Sequence, residues 1–278
     1  MRSSGNWSAI APRTQRLLNN VEFDDDIKAC AALVHRADPD RFMAAMAAPV
    51  EARAVLFPIY ALNVEVARAP WVTQESMIAE MRLQWWRDAL QEIAEGPTVR
   101  RHEVVTPLSR VLSPHLAASL DEYISVRRWD IYRDPFEDGA HFDAYINHSA
   151  GSLMVVSAQA LGASDEAVLR DFGYAVGVAN WLRAIPELEA RGRIPLLDGT
   201  HHGVRALAQK ALDRLARARS ARTEVSRQAR PALYAGWQSE WVLQTALARP
   251  ERVAAGALMQ GEIRRRFTLM KAVATGRW

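Results

Sequence analysis

Apolar residues spaced three and four positions apart constrain this chain more than any other feature. Met77, Met81 and Trp85, joined by Ile78, Trp86, Leu90 and Ile93, predict one wide buried helix face, capped by Thr73 and stopped at Gly96-Pro97. Helical patterning recurs from Asp24 towards Lys271. β-Branched runs are short, and only 14 Gly and 13 Pro interrupt 278 residues. An all-α protein follows, and 49% hydrophobic residues can fill its core. With no fixed-period repeat and no low-complexity linker, the simplest organisation is a tail over residues 1–22 and one helical bundle over 23–278.

Turn chemistry divides the bundle. Asp24, Asp25 and Asp26 read as a helix start, with His35 and Arg36 at the far end, rather than as a metal site. Asp38-Pro39 reads as an N-cap and first helical residue, and Pro49 closes that short helix. A helix from Val50 to Arg68 contains Pro58 and is ended by Pro70. Residues 100–107 form the expected loop, and Ser113-Pro114 starts a helix bearing Leu116, Leu120, Tyr123 and Ile124. After a turn at Asp134 to Gly139, helices follow from Phe142 to Leu161 and from Asp165 to Ile185, the second capped by Ser164 and interrupted at Pro186. Further helix runs from Val204 to Ala248, broken near Pro231, and a last helix extends from Glu251 towards Lys271. Small residues sit inside two of these helices, Ala150-Gly151-Ser152 and Gly173, Ala175, Gly177, Ala179. Interior glycine costs a helix about 1 kcal/mol against alanine, so this use implies either tight packing or a pocket wall.

Composition removes several function classes. The single cysteine, Cys30, cannot form an internal disulfide, and no His/Cys grouping has zinc-ligand spacing, which fits a reducing compartment. No apolar stretch reaches the roughly 18 to 20 residues of a membrane span. Residues 1–21 carry Arg2, Arg13 and Arg16 and precede the first acid, Glu22; this suits a short tail and also resembles a transit segment. Charge is uneven. Residues 200–278 hold 15 Lys/Arg against 5 Asp/Glu, whereas residues 1–199 hold 20 against 27. A basic C-terminal part suits anionic lipid or an acidic protein surface, or is a solvated arginine-rich face. Nucleic acid is disfavoured, since the arginines lack the interleaved aromatics of a stacking platform.

Sequence motifs supply no familiar catalytic site. HExxH, GxSxG, Walker and GxGxxG patterns are absent, and His201-His202 reads as a surface turn. Asp88 and Glu92, about 6 Å apart on one helical turn, could share a divalent ion but read better as a solvated face, as do Glu187 and Glu189.

Four segments together resemble the squalene/phytoene synthase family: Leu56-Phe57-Pro58-Ile59-Tyr60-Ala61-Leu62-Asn63, Arg82 to Leu90, Tyr145 to Gly151, and Asn180-Trp181-Leu182-Arg183 followed by Arg191-Gly192-Arg193-Ile194. The resemblance spans roughly residues 30–197 and implies an isoprenoid-synthase-type helical bundle. In active members two aspartate clusters hold Mg²⁺, which neutralises a prenyl diphosphate as its carbon–oxygen bond ionises. Counted from Tyr60 and Asn180, those positions fall here on Ala67, Arg68, Trp71, Ala184 and Leu188; none is an aspartate. Glu65 and Glu187 are the nearest acids, and Arg68 brings a like charge to the metal position.

The resemblance therefore implies no catalytic residues, no bound metal and no cofactor, with Mg²⁺ expected only if the chain were an active prenyltransferase. Tyr60, Gly151, Asn180, Arg183 and Arg193 match pocket or anion-holding positions, where helix packing or ion pairs with Glu187 or Glu189 are the structural alternatives. Asp38-Pro39-Asp40-Arg41-Phe42 replaces a basic substrate-gripping segment, and the Tyr60 and Trp85-Trp86 segments look like the branch containing a mitochondrial respiratory complex I assembly factor and bacterial relatives. That branch implies a helper in complex I assembly, in a bacterial cytoplasm or mitochondrial matrix. Its expected partners are a membrane surface, a complex I subunit or assembly intermediate, and an apolar isoprenoid or lipid ligand. The alternatives are the Mg²⁺-dependent prenyltransferase and a lipid carrier without turnover.

Overall fold

The computed structural model describes residues 23–96, 98–132, 134–276 and 278; the expected tail over residues 1–22 lies outside them. Asp24 begins the first helix, α1 (Asp25–Ala37), by accepting a hydrogen bond from the Ile27 amide at 2.9 Å. Asp38 does the same for α2 (Pro39–Met46), with Pro39 at its first position. The helix α3 (Val50–Arg68) has the expected bounds and carries Pro58 within it. Leu56, Phe57, Ile59, Tyr60, Ala61 and Leu62 on consecutive faces are all buried, so α3 is enclosed on every side.

The helix α4 (Ser76–Glu95) departs from the expected face: Met77, Ile78 and Met81 are exposed. Trp86, Leu90 and Ile93 are buried as expected, and Ala79 and Leu83 continue that face inward in place of the methionines, at alternating four- and three-residue steps. Two apolar choices existed in the first half of the helix, and small Ala79 lets the second approach the core. Thr73 does not cap α4; it accepts from the Glu75 amide in the preceding turn, and Glu75 is the N-cap. Gly96 ends the helix with φ +48°, a conformation that favours glycine.

The expected loop over 100–107 is shorter, because α5 (Val105–Val111) takes Pro107 into its first turn, where no backbone donor is needed. Three short helices, α6 (Pro114–Ser119), α7 (Asp121–Ser125) and α8 (Trp129–Tyr132), then bury Leu116, Leu120, Tyr123 and Ile124. Next, α9 (Gly139–Ile146) runs through a π-helical turn, Asn147–Gly151, into α10 (Ser152–Gln159). A second central helix, α11 (Glu166–Ala190), is capped by Asp165, not Ser164, and passes through Pro186 to Ala190. His201 and His202 are not a turn but the first residues of α12 (His201–Ser220), capped by Thr200.

The remaining chain forms α13 (Arg230–Leu233), α14 (Ser239–Ala248), α15 (Glu251–Ala254) and α16 (Glu262–Thr275). The single last helix of the sequence reading is thus two, separated at Gly256, whose φ is +64°. No strand occurs among the described residues; one isolated bridge joins Ser164 to Val225. No helix among them is long and apolar enough to cross a membrane.

The small residues serve both expected ends: Ala150, Gly177 and Ala179 line a cavity, and the glycines allow close packing. A Cβ on Gly173 would lie 2.8 Å from the Gly151 Cα and 3.0 Å from the Ala150 carbonyl oxygen; one on Gly177 would lie 2.7 Å from the Ala150 Cβ. These contacts seat α11 against the π-helical turn. Gly173→Ala would gain about 1 kcal/mol of helix propensity and lose about 1–3 kcal/mol to overpacking. Since the obstructing atoms are backbone, overpacking wins, and a urea titration should show net destabilisation.

Cys30, on the buried face of α1, is 1% exposed, its thiol donating to the Glu103 carbonyl in the loop before α5 at 3.4 Å. Burial pushes its pKa up to about 12, assisted by the nearby Glu103, Asp26 and Asp24 carboxylates. The folded protein should therefore resist maleimide labelling at pH 8 and become fully labelled in denaturant. Rapid labelling without denaturant would contradict this packing.

Candidate functional site

The half of α3 that ends at Arg68 and the half of α11 that carries Gly177 to Leu188 line a common cavity of about 820 Å³. The turn between α1 and α2, the π-helical turn, α14 and Met259 complete its wall. Its size is that of a small-molecule pocket. All five positions counted as degenerate metal-motif positions, Ala67, Arg68, Trp71, Ala184 and Leu188, line this one cavity. Asn180 and Arg183 also line it.

The other expected pocket residues sit behind the wall. Tyr60 is buried, and its hydroxyl donates to the Ala232 carbonyl at 3.4 Å. Gly151 is the contact point for Gly173. Arg193 is buried and donates to the main-chain carbonyls of Trp129 and Asp130, with its guanidinium 4.5 Å from the Trp129 ring centre and 5.5 Å from that of Trp71. It braces the wall from outside.

The charges on the lining pair across elements. Arg183 pairs not with Glu187 or Glu189 but with Asp40, at 3.0 Å, and Arg265 reaches the same carboxylate from α16. Asp38 holds Arg41 at 2.6 Å. Glu65 accepts from Arg68 at 2.8 Å, and Glu187 from Arg191. On the floor, Asp130 accepts from the Tyr145 hydroxyl at 2.9 Å and from Arg127 at 3.3 Å, and Arg127 also donates to the Tyr145 oxygen at 3.0 Å. Burial and the adjacent Asp130 carboxylate push the Tyr145 phenol far above its ordinary range, so it stays protonated and donates. Beyond it, the Tyr123 hydroxyl donates to Asn63 at 2.9 Å.

This donor set does not suit a cluster of divalent cations. The lining carries Arg41, Arg68, Arg127, Arg183 and Arg265 against Asp38, Asp40, Asp130 and Glu187, and every one of those carboxylates already accepts from a guanidinium. No group of three or more His, Cys, Asp or Glu among the described residues is placed to hold a metal ion. Trp71 fills the outermost motif position, with Arg191 4.5 Å from its ring centre. The arrangement is a set of internally neutralised ion pairs rather than a shell of free carboxylates for Mg²⁺.

Arg127, Asp130 and Arg265 carry no local sequence signal, and Asp40 stands out only as part of the segment that replaces a basic substrate-gripping one. Asp40 and Arg265 are 225 positions apart, and nothing local pairs them.

Comparison with solved structures places the fold. A dehydrosqualene synthase crystal structure superposes with TM-score 0.69 and 17% identity, over 95% of this chain and 98% of that one. A squalene synthase from Alicyclobacillus acidocaldarius gives TM-score 0.69 and 16% identity, over 84% and 98%. The architecture is therefore that of the all-helical isoprenoid synthases. Residues 34–265 match the squalene/phytoene synthase family description, and the chain belongs to that family.

Curated relatives lie elsewhere in function. A Drosophila melanogaster protein described as an NADH dehydrogenase (ubiquinone) complex I, assembly factor 6 homolog is 27% identical over 195 residues, 67% of this chain and 58% of that protein. The Homo sapiens complex I assembly factor 6 is 23% identical over 171 residues, 59% of this chain and 51% of its own length. The chain thus spans somewhat over half the length of these relatives.

Proposed function

We propose that this chain is a non-catalytic member of its family that assists assembly of respiratory complex I, the NADH dehydrogenase. The observation that carries this reading is the cavity lining: the positions counted as metal-binding are Ala67, Arg68, Trp71, Ala184 and Leu188, in a wall where arginines outnumber carboxylates. Ionisation of a prenyl diphosphate needs concentrated positive charge from metal ions held by oxygen ligands, and these carboxylates are committed to arginines. The names of the curated relatives supply the assembly role. In this reading the protein acts at a membrane surface or on a complex I subunit or assembly intermediate, on the cytoplasmic or matrix side.

Two experiments test it. Deleting the gene in its host should lower complex I abundance and NADH dehydrogenase activity, and normal levels of both would overturn the assembly role. Purified protein incubated with farnesyl diphosphate and Mg²⁺ should release no diphosphate above a no-enzyme control. Sustained release would restore the prenyltransferase alternative. The cavity's size and apolar side chains also favour a retained isoprenoid or lipid ligand, which mass spectrometry of lipid extracts from the purified protein would detect.

A further inference from the structure

The last long helix, α16, has one face seated in the fold and one that nothing among the described residues covers. Leu269, Ala272 and Val273 pack inward. Arg265 ties the start of the helix to Asp40. Its far end is fixed through Trp278, whose ring meets Phe172 edge-on at 4.9 Å and whose carbonyl accepts from Arg219 at 2.8 Å. From the opposite side project Ile263, Phe267 and Met270, exposed by 76%, 66% and 63%.

At 3.6 residues per turn these three side chains fall within a sector about 60° wide. Arg264 and Lys271 border one edge of the sector and Arg266 the other. Glu262, the only acid in the helix, pairs with Arg266. No ion pair engages Arg264 or Lys271 among the described residues. A lone exposed apolar residue needs no explanation, but an aligned stripe flanked on both sides by cations is the pattern of a helix lying in a lipid–water interface. A helix of 14 residues is about 21 Å long, too short to span a bilayer. Charge selects the surface, since residues 200–278 hold three times as many basic as acidic side chains.

We propose that α16 is an interfacial docking helix that seats the protein on an anionic bilayer, with Ile263, Phe267 and Met270 entering the acyl boundary and Arg264, Arg266 and Lys271 meeting headgroup phosphates. Met259, 58% exposed just before α16, lines the cavity together with Arg265. The proposal does not depend on the assembly role, because vesicle binding and complex I abundance are separate readouts.

Flotation of the full chain with vesicles tests it. The protein should bind vesicles of phosphatidylglycerol mixed with phosphatidylcholine and remain unbound with phosphatidylcholine alone. The triple variant I263S/F267S/M270S should weaken binding by about tenfold or more. The variant R264Q/K271Q should weaken it by about fivefold per charge removed. These positions are exposed, so thermal melts should match the wild type and loss of binding cannot be assigned to unfolding. Wild-type protein that stays unbound on anionic vesicles, or a triple variant that binds as the wild type does, overturns the proposal. So does a concentration-dependent dimer, without vesicle binding, that the triple variant abolishes, because that result gives the face to a second copy of the chain.

Discussion

Asp130→Ala should lower folding stability by about 3–5 kcal/mol, the largest effect expected of any single substitution in the cavity floor. Asp130 is 6% exposed and does two things at once, accepting from the Tyr145 hydroxyl and balancing the Arg127 guanidinium. Removing it leaves a largely desolvated cation, its side chain 17% exposed, with only the neutral Tyr145 and Tyr123 rings beside it, and much of its desolvation cost is no longer offset. The Asp130 main-chain carbonyl also accepts from Arg193, so loosening this segment weakens the brace behind Trp129. Urea denaturation should show a lower midpoint with an unchanged slope. Replacing both partners, R127M/D130L, should cost much less than the single change, because no charge is stranded. A single-variant loss within about 0.5 kcal/mol would show that Arg127 finds another partner.

Local chemistry made most of the helices readable. Asp24, Asp38 and Ser113 each cap the helix assigned to them, and the bounds of the Val50–Arg68 helix hold, because a cap or a proline acts on its nearest neighbours. The errors arose where tertiary packing chose between local options. On the first half of α4 two apolar choices were available, and the approach of small Ala79 to the core left Met77, Ile78 and Met81 outside, while Trp86, Leu90 and Ile93 are buried as expected. At Pro186 the expected interruption did not occur, because one missing donor is tolerated in a helix held by burial along most of its length.

The candidate site was legible in the same uneven way. Counting along two helices from Tyr60 and Asn180 found five positions that do share one cavity, because helical geometry carries local spacing faithfully into space. The ion pairs that fill the cavity were not legible, since Asp40–Arg183 and Asp40–Arg265 join residues 143 and 225 positions apart. Sequence placed Arg183 beside Glu187 because they lie one turn apart, but Arg191, one turn further on, takes that glutamate.

Asp40→Asn should convert the cavity from a self-neutralised site into an anion-binding one. Asp40 is the shared counter-ion of Arg183 and Arg265, with all three side chains between 18% and 25% exposed. An amide of the same shape keeps a hydrogen-bond acceptor but removes the negative charge. Two guanidiniums then face a neutral group in a partly desolvated space, where charge interactions exceed their values in water. The loss of pairing should cost about 1–2 kcal/mol, allowing for the residual exposure. That cost would be recovered by an added anion that bridges both arginines, since a ligand bound only by the folded state stabilises it by about 2.7 kcal/mol at one hundred times its dissociation constant. Inorganic pyrophosphate should therefore raise the melting temperature of Asp40→Asn by several degrees more than that of the wild type, and restore slow amide exchange along residues 262–275. A variant that pyrophosphate stabilises no better than the wild type would mean that Asp40 is not what keeps anions out, and that the excess of arginines in the lining serves only to hold the helices together.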